Sequence, residues 1–184
     1  MDKKDEKIQI VKETFPSEII SIVGDIFAGI VLILVILPFE SFIVLILIIP
    51  ALLSLRGNLS GPFIARTSKD FIIGEFDKRS WFENMLATLT LSILTALVIG
   101  VLSIFLNLII LNKMIISIET LILLPLISIV LTLFISIPTS TALNYLAFKY
   151  GFDPNNVVNP VMTAVDDFFT VVCFYATLLI LGVP

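Results

Sequence analysis

Residues 156–181 read NVVNPVMTAVDDFFTVVCFYATLLIL. The run is long and apolar enough to cross a bilayer as one helix, which takes about 20 residues, yet it holds two adjacent aspartates, Asp166 and Asp167. Stepping about 100° per residue from Thr163 places Asn156, Asn159, Asp166, Asp167, Thr170, Cys173 and Thr177 in one arc of about 120°. Val, Phe and Leu fill the other face. Thr163, Thr170 and Thr177 alone would suit a polar seam between packed helices. The aspartates ask for more. An ionised Asp at mid-bilayer costs about 2.5–3.5 kcal/mol or more, so these carboxylates must face water, a cation or each other. An ion or substrate pathway along this face is the expectation.

The remainder of the chain shares the same solvent. Of 184 residues, 58% are hydrophobic and 14% charged, and the mean hydropathy is +1.12. A soluble domain has roughly 45–50% apolar and about 25% charged residues, and one of this size cannot hide the surplus. The absence of histidine excludes Ser/His/Asp triads, Cys/His dyads and His-ligated zinc, and the single cysteine, Cys173, excludes an intrachain disulfide framework. A net charge of -4 argues against nucleic acid as a partner.

Four further spans are expected, approximately 15–37, 41–65, 81–111 and 114–148, preceded by a short charged tail over 1–14. Phe15–Leu37 is too polar, at Ser17, Glu18, Ser21 and Asp25, to be a signal peptide. Ser41–Leu55 makes only about 22 Å of helix before Gly57-Asn58 and Gly61-Pro62, so the second span is expected to be broken or unwound there, lining a cavity. The alternative is a simple kink. With the N-terminus cytoplasmic and the C-terminus outside, ten of the eleven Lys and Arg fall inside, leaving only Lys113 outside. An odd number of spans and no internal repeat mean that a symmetric pore needs a second copy of the chain.

The acidic pair has no evident partner in the membrane, since the basic residues cluster at the cytoplasmic edge. The available donors are carboxylates, Asn and Thr oxygens and backbone carbonyls. That hard-oxygen set suits Mg2+, Ca2+ or Mn2+ and is poor for Zn2+ or Cu+. Asp25, about ten residues into the first span, is a further buried acid that either lines the same cavity or pairs with a polar residue of another helix. Glu40 and Glu119 read as solvated loop charges near the outer surface, and Cys173 as a small packing residue.

PALLSLRGN at 50–58, with Gly74-Glu75 sixteen and seventeen positions after the Asn, resembles the membrane domain of MgtE-type magnesium channels. So does Asp153-Pro154 with Pro160, Thr163 and Asp167 downstream. LLSLRGNLSGPFIAR, with a basic residue before Gly-Asn and Arg66 eight positions after it, is similar to the solute carrier 41 branch. The likeness runs from about Phe15 to Leu181. It implies an all-α integral membrane protein of five helices, forming a homodimer around a central cation pathway in the cell membrane. Asp167 then matches the family's last-helix aspartate, and Gly57 and Asn58 its Gly-Asn motif. The expected ion-binding residues are Asp167, Asn58 and Gly57, which the resemblance implies, together with Asp166, Thr163, Thr170, Asn159 and Asp25 from the polar arc and the first span, with Mg2+ as the transported ion and no resident cofactor. Arg56 and Pro62 stand where bacterial members carry Gly and a nearby Gln, and Asp166 is extra at a position usually apolar or Gly. Neither a CBS pair nor a soluble N-domain is expected, which puts gating by intracellular Mg2+ in doubt.

The alternative function is a proton- or Na+-coupled exchanger with Asp166, Asp167 and Asp25 as relay. An enzyme is not expected. The four spaced aspartates of CDP-alcohol phosphotransferases are missing, as is the Gly-x-Gly-Asp pattern of intramembrane aspartyl proteases. A structural subunit would be favoured if Asp167→Asn left every flux unchanged.

Overall fold

The computed structural model describes residues 3–38, 42–111, 114 and 116–183. Its described residues form five long helices and no strand: α1 (Lys3–Val31), α2 (Phe42–Ile73), α3 (Lys78–Leu111), α4 (Ile118–Lys149) and α5 (Pro154–Leu181). A π-helical segment, Leu32–Ile36, continues α1. All five are long and apolar enough to cross a membrane. Exposed apolar side chains such as Phe105, Ile109 and Phe134 clothe the bundle as lipid requires. The chain is a multi-span membrane protein.

The helix ends follow local chemistry. Ser117 caps α4 by accepting the Thr120 N–H, with Glu119 in the first turn and Lys149 in the last, both favourable to the helix dipole. Asp153 caps α5 by accepting the Asn155 N–H at 2.9 Å, and Pro154 opens the helix where its missing N–H costs nothing. The turn between α4 and α5 needs Gly151 at φ 79°, a conformation that side chains resist.

The helices overrun the expected spans. Residues 3–14, expected as a tail, form the first turns of α1, and α2 extends eight residues beyond Ala65. Glu13 joins this extension to α5: its Oε2 accepts from the Asp153 N–H at 3.2 Å and from Asn156 Nδ2 at 3.0 Å. Glu40 and Lys113 lie outside the described residues.

The expected break at Gly57-Asn58 is corrected. The α2 helix runs unbroken through both residues. A Gly inside a helix costs only about 1 kcal/mol against Ala, and here burial of Leu52, Leu55, Arg56, Leu59 and Ser60 on the opposite side holds the helix in place. The Ser60 hydroxyl donates to the Arg56 carbonyl at 2.8 Å. Pro50 and Pro62 sit within the same helix with their side chains exposed, as membrane helices tolerate.

The α5 helix is the hub, packing against α1, α4 and α2, while α3 packs on α4 and α2. The largest apolar core joins Leu45, Ile48 and Leu52 of α2 to Leu121, Leu124 and Ile129 of α4 and Phe174 and Leu178 of α5. Among the described residues α1 has its extensive packing with α5 alone. The two helices approach closely at Gly24, where a Cβ would collide with that of Ala164.

Candidate functional site

Its three neighbours divide the surface of α5. Ala164 meets α1, and Asp166 turns to α2. There Arg56 Nη2 lies 2.9 Å from Asp166 Oδ1, with the two side chains 0% and 2% exposed. The expectation that the acidic pair lacks a partner in the membrane is therefore corrected for Asp166. Arg56 is not at the cytoplasmic edge. It lies near the middle of α2, opposite the middle of α5, so it drops out of the inside charge count. Treating the second span as broken hid its depth. An arginine in mid-membrane needs an anion, and that rule, applied to an unbroken α2, would have found the pair.

Asp167 lives differently. It is only half-buried, and among the described residues it has neither a hydrogen bond nor an ion pair. Asp25, Asp166 and Arg56 all act on it electrostatically. On the same side of α5, Asn159 is exposed and Thr163 half-buried. The Thr163 hydroxyl donates to the Asn159 carbonyl at 3.0 Å, which leaves the lone pairs of Thr163 Oγ1 turned out. Asn159 Oδ1 also lies beside Gly61 of α2, 3.7 Å from where a Cβ would stand. Asn159, Thr163 and Asp167 thus form an open strip of oxygen donors on α5.

The remaining expected site residues scatter around this strip. Thr170 is 1% exposed and turned inward, its hydroxyl without a hydrogen-bond partner among the described residues. Asp25 is exposed on α1, next to the Gly24 crossing. Gly57 is exposed on α2. Asn58 is exposed as well and lines a cleft of about 130 Å³ with Pro62, Arg66 and Thr88, toward α3 rather than α5. Ser54, Gly57 and Asn58 make an exposed patch of small and polar residues on α2. Among the described residues, no group of three or more acidic, His or Cys side chains is placed to hold a metal ion. Cys173 is buried and forms no disulfide among the described residues.

Residues 49–177, which include α4 and most of α2 and α5, match the family MgtE, divalent cation transporter. No curated protein and no solved structure matches the chain at a significant level. The matched segment holds Gly57-Asn58, Arg56 and the whole α5 strip, and it covers well over half of the sequence. The chain belongs to the MgtE family of divalent cation transporters.

Proposed function

We propose that the protein carries Mg2+ across the cell membrane along the open face of α5, with Asp167 as the charged station of the path. The observation that carries this reading is the contrast between the two aspartates: Asp166 is buried against an arginine, whereas Asp167 stands half-exposed and unpaired among Asn and Thr oxygens. An unpaired carboxylate at this depth attracts a cation strongly, because the low dielectric weakens the field far less than water does. Mg2+ sheds its waters reluctantly and is commonly held through one or two carboxylates. A hydrated ion can therefore meet Asp167 directly or through water, with its remaining waters on Thr163 and Asn159.

In a single chain this polar strip and the small-residue face of α2 lie open to lipid, which is costly for Asn58, Asn159 and Asp167. A second copy of the chain covering both faces would remove that cost and enclose the ion between two sets of donors. The orientation that best fits the basic residues puts the N-terminus in the cytoplasm and the C-terminus outside.

Single-cysteine variants test the path. In a Cys173→Ala background, Asn159→Cys and Thr163→Cys should react with a charged, membrane-impermeant thiol reagent, and millimolar Mg2+ should slow the reaction. Phe134→Cys, at a residue 75% exposed on the apolar outside of α4, should not react. Equal labelling with and without Mg2+ at both strip positions would remove the ion from this face. The electrostatic influence of Asp25 on Asp167 favours a second reading, a coupled exchanger in which these two acids relay H+ or Na+. Mg2+ flux that needs an imposed H+ or Na+ gradient would select it, and gradient-independent flux would select a channel.

A further inference from the structure

The Arg56–Asp166 pair sits one residue from the proposed station yet is itself shut away. Arg56 is 0% exposed, and although the two side chains lie within ion-pair distance, none of its three guanidinium nitrogens and neither Asp166 oxygen has a hydrogen-bond partner among the described residues. Packing alone is a poor reason to bury such a pair, because apolar residues of similar volume would fill the space at no loss. Its electrical consequence is larger. Asp167 stands beside this pair in sequence and feels the charges of Asp25, Asp166 and Arg56. Arg56 and Asp166 cancel, so each protomer offers the path the charge of Asp167 and Asp25 rather than that of three carboxylates.

We propose that Arg56 is a built-in counter-ion that sets how tightly the path holds a divalent cation, with Asp166 as its anchor and not as an ion ligand. This rests on the transport reading above. Without Arg56, Asp166 would add a full negative charge beside Asp167 and turn a passing station into a trap. Without Asp166, an uncompensated guanidinium would stand next to the station and repel the ion. A unit charge at such range, in a medium between protein and water, changes the affinity for a divalent ion by about tenfold or more. Arg56 acts through the field at Asp167 and is a positioning residue.

The test measures Mg2+ binding by titration calorimetry and Mg2+ flux in proteoliposomes, on full-length protein that elutes as a single folded species. Arg56→Gln should bind Mg2+ about tenfold tighter or more and pass it more slowly, and Asp166→Asn should bind about tenfold weaker. The double variant Arg56→Gln/Asp166→Asn should return to within about threefold of wild type in both. Arg56→Lys, which keeps the charge, should also stay within about threefold, and it remains informative if a single neutral variant fails to fold. A folded double variant as impaired as either single one would overturn the proposal, as would unchanged affinity in both folded singles. A tenfold shift in folded Arg56→Lys would do the same. If wild type conducts and Asp167→Asn does not, while the pair variants leave affinity alone, only the counter-ion role fails. If wild type neither binds nor passes Mg2+, the transport reading falls and takes the counter-ion role with it.

Discussion

Asp166 and Asp167 are neighbours in sequence with opposite surroundings. Adjacent residues on a helix point about 100° apart, enough to turn one carboxylate into the bundle against Arg56 and leave the other on the open strip. The two should differ in what they do for stability. Asp166→Asn leaves a buried guanidinium without its anion, and breaking such a pair costs about 3–5 kcal/mol. Asp167→Asn removes an unpaired charge and should leave stability unchanged or raise it slightly. Thermal unfolding in detergent checks this: a clear drop in Tm for the first variant and none for the second. Equal drops would mean that Asp167 has a structural partner. The half-exposed position of Asp167 on the polar arc of α5 was legible from the helical spacing. The partner of Asp166 was not, since contact between helices depends on the depth of each, and the depth of Arg56 was set by a continuity of α2 that Gly57-Asn58 disguised.

Between elements, the crossing of α1 on α5 is the most exacting contact near the strip. Gly24 and Ala164 meet with no room for a further methyl group, the close approach of small residues by which membrane helices associate. The substitution Gly24→Ala should therefore destabilise by roughly 1–3 kcal/mol through overpacking. Gly24→Ala combined with Ala164→Gly should recover most of the loss, because the pair then carries one methyl as before. A compensation visible in Tm supports the crossing; two losses that simply add would contradict it. Asp25 follows Gly24 directly, so a shift of α1 should also alter Mg2+ affinity. That the chain forms five helices long and apolar enough to cross a membrane was legible from its apolar runs. Their true ends were less so, because α1 and α2 continue as helices into charged sequence, past where hydropathy falls.

On the scale of the whole molecule, α1, α4 and α2 surround α5 but leave the strip and the small-residue face of α2 uncovered. The apolar core is closed without them, so these faces are free to serve assembly and transport. The protein reconstituted into nanodiscs or held in mild detergent should therefore measure as a dimer, and native mass spectrometry reads this directly. A monomer that still passes Mg2+ would contradict the two-copy path. Nothing in one chain's sequence states which faces meet across a symmetry axis, because any polar arc on a membrane helix can be covered by a partner or by its own bundle. Here the buried half of the polar arc, Asp166 and Thr170, is covered from within, and the half carrying Asn159, Thr163 and Asp167 is not.

The most direct measurement is Mg2+ uptake into proteoliposomes holding equal, verified amounts of wild type and Asp167→Asn. The expected result is robust uptake by wild type and a loss of about tenfold or more in the variant, with its fold and Tm intact. Uptake by a folded Asp167→Asn at the wild-type rate would contradict a path through the α5 face.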